Sequence, residues 1–430
     1  MLAFILIFGA AISVKSGFFQ IRRGFYIYKN TIGTLFRKKT SNNKNEGLTQ
    51  KGAFCSVLAA TMGTGNIIGV SSAIITGGPG AVFWMWISAL FGMMIVYAEN
   101  YFGIICRRKD SSGKWHGGAL CYIEKALKKP AALIYAFLCV FASFGMGNMV
   151  QTNSLSSAVS VQFHMSPFIT GAVAAFLCGL VILGGIKRIS SVTEILIPVI
   201  SLIYIISALY IVIKNASLLP DVFRKIFSEA FGIKSACGGI CGTLIKKTVS
   251  TGMKRGVFSN EAGLGTSSMF HSQCSEDNPE LQGMWGIAEV FADTIICCTL
   301  TALSILCVTE KSPFGGSNPA ELTAAAFADC FGTYSELFIC ISVTLFAFAT
   351  LIGWSHCGES AFRYIAGEKS AVVYRFIYCI LAFAGAVLSL ETVWTVSDIF
   401  NGLMIIPNIL SLTVLCITKK MNTPEKISQQ

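Results

Sequence analysis

Ala59-Ala60-Thr61-Met62-Gly63-Thr64-Gly65-Asn66-Ile67-Ile68-Gly69 sits inside an apolar run from Ala53 to Ile75. The run is long enough to cross a bilayer, yet three glycines and an asparagine interrupt its middle. Glycine is a poor helix residue and leaves backbone amides and carbonyls uncovered. In hydrocarbon such groups must be satisfied, so a break at mid-membrane is tolerated only where it faces protein or a water-filled cavity. Interrupted spans of this kind mark ion and substrate sites in secondary transporters. The rest of the chain reads as the frame around that break.

Composition sets the class. Of 430 residues, 53% are hydrophobic and only 13% charged, against about 25% charged in a soluble domain. The chain is therefore read as an all-α polytopic membrane protein. Its net charge of +11 does not point to nucleic acid, because the Lys and Arg residues fall in short loops between apolar runs, where they encode orientation. The 16 cysteines lie mostly singly in apolar runs, as at Cys55, Cys139, Cys178, Cys298 and Cys416, and read as small packing residues. Cys237 and Cys241 have three residues between them, and no paired CxxC motif occurs. The four histidines form no HExxH pattern, so neither a metal centre nor a cofactor is expected. Met1–Val14 lacks the basic n-region of a cleaved leader and reads as a first, peripheral span.

Eleven spans are expected, near 1–16, 53–77, 81–105, 131–152, 167–186, 193–213, 238–270 (broken), 284–308, 334–355, 371–391 and 396–418. Of the 33 Lys and Arg, 24 fall on one side of this threading, five on the other and four within the seventh span. The positive-inside rule then puts the N-terminus outside and the C-terminus in the cytoplasm of a cell-membrane protein. After the first span, ten remain and divide into a repeat over 53–213 and another over 238–418. Each opens on a glycine-broken span, the second at Arg255-Gly256-Val257-Phe258-Ser259-Asn260-Glu261-Ala262-Gly263-Leu264-Gly265. Five crossings per half is odd, so the halves are inverted, the pattern of leucine-transporter type folds.

The chemistry is expected at the breaks. Gly63-Thr64-Gly65 lacks the GxGxxG spacing and the downstream acid of a dinucleotide turn. Half-helix amides suit a substrate carboxylate, and carbonyls suit a hard cation. No Lys or Arg flanks the first break, which favours a neutral zwitterion with one sodium ion. Gln151, Thr350 and Trp354 are polar groups in other apolar runs, the last two on one helix face. Glu99, Glu194, Glu289 and Asp293 are intramembrane acids, expected to pair with Lys or Arg of the basic loops, with a proton relay through Glu289 or Asp293 as the alternative. Lys246, Lys247, Lys254 and Arg255 sit awkwardly in the seventh span, unless that half-helix lines an aqueous vestibule.

Several stretches resemble the alanine/glycine:cation symporter family of bacterial amino-acid transporters. They include Ala60–Ile67, Gly77-Gly78-Pro79-Gly80-Ala81-Val82-Phe83-Trp84, Gly145–Gln151, Gly184–Ile189, Arg255–Gly265 and Leu345–Phe348 with Gly353-Trp354. The resemblance spans nearly the whole chain. It implies symport of small neutral amino acids, chiefly alanine and glycine, with sodium or a proton. Carried over by residue, it puts substrate against Gly65, Asn66, Ser71, Gln151, Phe258, Thr350 and Trp354. Sodium would meet the carbonyls of Ala59 and Met62, with Ala347 and Thr350 opposite. Leu351 stands where the wider fold often has a second hydroxyl, and Gly117-Gly118-Ala119-Leu120-Cys121-Tyr122 and Ser355-His356 depart from common family wording near the cytoplasmic face.

Overall fold

The computed structural model describes residues 2–35, 47–109, 115–232, 241–311, 318–388, 390–419 and 421–424. Arg37, Lys38, Lys39, Lys44, Lys114, Lys234, Lys420, Lys426 and Cys237 lie outside the described residues, as do 238–240 of the seventh expected span and 389 of the tenth.

A helical element coincides with each of the eleven expected spans. In order these are Leu2–Lys15, the pair Gln50–Thr61 and Ile68–Gly77, Gly80–Ile105, Ala119–Phe163, Pro167–Ile182 and Gly185–Lys214. Then come the pair Cys241–Asn260 and Thr266–His271, the composite helix 279–311, Ser335–Ala366, Ala371–Val387 and Leu390–Thr418. Among the described residues, seven helices are long and apolar enough to cross a membrane by length and composition. The fourth is far longer than the expected 131–152. It starts at Ala119 and bends at Lys128, which has φ 70° two residues before Pro130, a residue that lacks the backbone donor a continuous helix needs.

Two helices replace expected loops. Leu219–Ala230 buries only Val222, Ile226 and Ala230, one stripe at i, i+4, i+8, so its composition hides it from a search for apolar runs. Pro319–Phe331 and Pro279–Val290 begin alike. Asn318 accepts from the Ala320 amide, and Asn278 from those of Glu280 and Leu281. An N-cap side chain followed by proline at the first turn is a strong helix start.

Helix 80–105 is the hub, packed against 241–260, 266–271, 279–290, 219–230 and 2–15. Helix 335–366 is the second, packed against 119–144, 150–163, 50–61, 185–214 and 319–331. Large residues such as Trp285, Trp354, Tyr97 and Tyr204 are fully buried. Phe168, Phe176, Ile195, Val199, Leu202, Val372 and Phe376 face outward, the apolar exterior that lipid calls for.

Close approach is set by glycine where backbones meet. A Cβ on Gly80 would lie 2.4 Å from the Ala230 amide nitrogen, and the Trp84 indole donates to the Ala230 carbonyl at 3.1 Å beside it. Gly80→Val is expected to lift helix 219–230 from its seat and to cost about 1–3 kcal/mol, read as a lowered melting midpoint of the purified protein; an unchanged midpoint would contradict this packing.

Candidate functional site: two broken helices and the side chains that close them

The first break is tight. The helix ends at Thr61, Met62 turns to ψ 82°, Gly63 is extended, and a single 3-10 turn over Thr64–Asn66 leads into Ile68–Gly77. Its polar groups are not left open, as a break awaiting a carboxylate would suggest. Asn66 Oδ1 accepts from the Gly63 amide at 3.1 Å. Gln151 Oε1 accepts from the Thr64 hydroxyl at 3.1 Å and its amide at 3.4 Å, while Gln151 Nε2 donates to the Met146 carbonyl.

The second break is narrower than expected. Arg255–Asn260 are helical, and the interruption is Glu261–Gly265, with φ of 54° at Glu261, 94° at Gly263 and 81° at Gly265. A left-handed non-glycine residue costs roughly 1–3 kcal/mol, so Glu261 must be held. Its carboxylate accepts from the Thr266 hydroxyl at 2.7 Å and from the Trp354 indole at 2.6 Å. Glu99 Oε1, from helix 80–105, takes the amides of Gly263 and Gly265 at 3.1 and 3.0 Å, and Asn408 Nδ2 at 2.7 Å.

Asp293 joins the two breaks. It accepts from Asn66 Nδ2 at 2.7 Å, Ser259 at 2.6 Å and Thr294 at 2.8 Å. The expectation that the intramembrane acids pair with loop cations is therefore corrected. Glu194 accepts from Thr49 and Ser190, and Glu289 bonds Ser267 and His271. Among the described residues, none of the four acids is in an ion pair with Lys or Arg, because hydroxyls and amides freed by helix ends reach them first. Lys246, Lys247 and Lys254 are exposed, which removes their difficulty. Arg255 donates to Ser72 at 3.4 Å and faces the Phe258 ring at 5.9 Å.

Around the first break the structure gathers most of the expected site residues. A Cβ on Gly63 would lie 2.5 Å from Thr350 Oγ1 and 3.2 Å from Gln151 Oε1, and one on Gly65 3.3 Å from the Phe258 ring. A Cβ on Gly353 would meet the Ala60 amide at 2.9 Å and the Ala59 carbonyl carbon at 3.3 Å. Ala59 and Ala60 thus lie against Gly353, and Gly63 against Thr350, along one stretch of helix 335–366. Trp354 backs this group, wedged on Gly147 and tied to Glu261. Ser71 is engaged elsewhere: its hydroxyl donates to the Ile67 carbonyl and bonds Thr323 of helix 319–331.

Sequence reading did not single out Glu261, Ser259 or Asn408, nor the bridging place of Asp293. The signal for Glu261 was present, since a carboxylate inside a glycine-rich break has only backbone and neighbouring helices to satisfy it.

A cleft of about 670 Å³ opens on the face that carries the basic loops, lined in part by Arg108, Lys187, His356, Glu359, Arg363 and Arg375. Glu359 accepts from Arg375 at 2.7 Å and from Arg363 at 2.5 Å. The cleft reaches Met269 and Gln273, just past the second break, but is not lined by Gly63, Gly65, Gln151, Phe258 or Thr350. Those residues are closed against one another.

Residues 1–425 match the model of the sodium:alanine symporter family. The chain belongs to that family. It is similar to the sodium/alanine symporter AgcS of Methanococcus maripaludis, with 40% identity across 96% of this chain and 91% of the relative. It also resembles the amino-acid carrier protein AlsT of Bacillus subtilis, at 34% identity over 93% and 84% of the two chains. The fold is similar to that of MhsT in complex with L-phenylalanine (TM-score 0.63, 15% identity, 88% of this chain and 91% of that one). A Na+-coupled sialic acid symporter aligns at TM-score 0.61 and 12% identity, over 97% and 86%. This member of the family is thus an amino-acid symporter on a leucine-transporter type fold, and not an enzyme. Of its departures from common family wording, Leu120, Cys121 and His356 line the cleft, whereas Ala119 and Ser355 do not.

Gly63→Ala is expected to drive Thr350 and Gln151 off the break and to lower substrate uptake at least about tenfold, equivalent to about 1.4 kcal/mol, while surface expression persists. Uptake within twofold of the parent would place the working site elsewhere.

Proposed function

We propose that this symporter imports a small neutral amino acid, alanine or glycine, together with sodium, from outside the cell membrane to the cytoplasm. One observation carries the reading. Thr350 Oγ1 is buried with no hydrogen-bond partner, at the contact between the first break and helix 335–366. A buried hydroxyl left unpaired costs about 1–3 kcal/mol, and a hard cation takes such an oxygen together with carbonyls. Sodium as cargo would meet Thr350, the carbonyls of Ala59 and Met62, and that of Ala347. The donor set is neutral, as suits a monovalent ion.

The amino acid would sit beside it, against Gly65, Gln151, Phe258 and Trp354. Gln151 Oε1 already accepts from Thr64 in the manner of a carboxylate oxygen, so an entering carboxylate competes for the same donors. Asn66 acts here by holding the break open through Gly63 and Asp293, and Ser71 by docking helix 319–331. The small space left at Gly63 and Gly65 favours a short side chain. The repeats over 53–213 and 238–418 would rock about this point, with the basic-loop face and the C-terminus cytoplasmic and the N-terminus outside.

The test is labelled alanine uptake into proteoliposomes, with and without an inward sodium gradient. Saturable uptake that collapses without sodium supports the reading; uptake indifferent to sodium would favour proton coupling or uniport. Thr350→Val keeps shape but loses the oxygen, and should raise the sodium concentration for half-maximal uptake about tenfold. An unaltered sodium requirement would remove Thr350 from the ion site.

A further inference from the structure

One wall of the cleft on the basic-loop face is the start of a long helix. Gly184, Gly185, Ile186 and Lys187 border the cleft. The 30-residue helix Gly185–Lys214 begins there with no side chain capping it and no acid in its first turn. The first amides of a helix have no partner inside it and carry the positive end of its dipole. Gly184 and Gly185 have no side chains to cover them. A helix end of this kind is suited to an anion.

The side chains around it add positive charge. Arg108, Lys109, Lys187, Arg363 and Arg375 line the cleft, against Glu359 and Glu368. Glu359 is shared by Arg363 and Arg375, Glu368 takes Arg363 at 3.0 Å, and Glu124 takes Arg108 at 2.9 Å. Lys109 and Lys187 are left in excess. Lys109 lies over the Trp115 ring at 4.8 Å, and among the described residues no carboxylate is in ion-pair range of Lys187. Cations that only encode orientation stand in water. Here the Arg375 side chain is 15% exposed, beside a Glu359 side chain that is 10% exposed.

Part of this wall is unanswered. His356, Glu359 and Arg363 follow one another at i, i+3 and i+7, on one face of helix 335–366. His356 is 9% exposed, and its Nε2 has no hydrogen-bond partner. Arg363 Nε is likewise buried and unpartnered. A ring nitrogen can donate, and beside an oxyanion it would. Arg375 ties this face to the helix start, donating to the Leu183 carbonyl at 3.3 Å.

We propose that the cleft binds a phosphate-type oxyanion, held at the opening amides of helix 185–214 by Lys187, with His356 and Arg363 facing it. A volume of about 670 Å³ is in the range of pockets for small organic ligands, larger than phosphate alone needs. The phosphate is therefore carried on a soluble molecule or on a lipid headgroup entering at the rim. Leu48, just before half-helix 50–61, and Met269, within half-helix 266–271, also line the cleft, so the occupant borders both broken helices.

The test is calorimetric titration of pyrophosphate into the purified protein in detergent, at low salt and without divalent cations. Saturable binding is expected, weakened about tenfold by Lys187→Gln, largely kept by Lys187→Arg, and reduced by added salt. Lys214→Gln removes the same charge at the far end of the same helix and should leave the affinity unchanged. Heat that does not saturate at millimolar pyrophosphate would overturn the proposal. Equal weakening by Lys187→Gln and Lys214→Gln would overturn it too, since binding would then report net charge alone. Dioctanoyl phosphatidic acid and glycerol 3-phosphate, titrated in the same way, separate the two sources. With the Lys187 dependence present in both, tighter binding of the lipid marks a headgroup site, and equal or weaker binding marks a soluble phosphate. None of these probes is the transported cargo, so the result stands apart from the symport reading.

Discussion

A backbone amide in hydrocarbon has no water to fall back on, and this constraint governs the molecule. Two helices are opened near their middles, and the opened groups are met by side chains, some from other helices and some, as Asn66 and Asn260, from the broken segment itself. Glu99 meets the amides of Gly263 and Gly265. Gln151 meets Thr64, and Asn66 folds back onto Gly63 while reaching Asp293. The breaks persist because their partners are polar, buried and themselves bonded. The same partners bring five separate elements to one point, which is how a local defect in two helices becomes a site.

The site differs from the picture of frayed ends waiting for ligand. Its donors are occupied by protein oxygens, and the residues that flank it are pressed together, while a cleft stands on the basic-loop face. On the proposed reading, ligand binding at such a place would be an exchange of partners, in which a carboxylate replaces the Gln151 oxygen and a cation supplies what Thr350 lacks. Exchange of this kind binds weakly enough to release, as a carrier must.

Much of this was legible in the chain. Gly63-Thr64-Gly65-Asn66 broke an apolar run, and the structure breaks the helix between Thr61 and Ile68. Period and composition placed the helical elements, because length and hydropathy are local properties. Less local matters were hidden. Helix 219–230 is amphipathic and short, so no apolar window finds it. The second break begins at Glu261 and not at Arg255, since whether Gly256 bends a helix depends on Ser88 and Met85 packing against it, which sequence does not display. The acids were recognised as unusual, but their partners lie far away in the chain, and a charge pattern read along one line assigned them to the nearest basic loops.

The bond from Glu99 to Gly263 and Gly265 spans 164 and 166 positions. During biosynthesis at about 5–20 residues per second, that separation is on the order of ten to thirty seconds. Throughout that wait the third segment resides in the translocon or the lipid with a carboxyl group that has not met its amides, at an insertion penalty of roughly 3 kcal/mol. Assembly is then obliged to be late and concerted. A ribosome stalled before position 263 would leave a nascent chain whose third segment is the first to slip from the bilayer, and the most in need of an insertase that shelters polar groups.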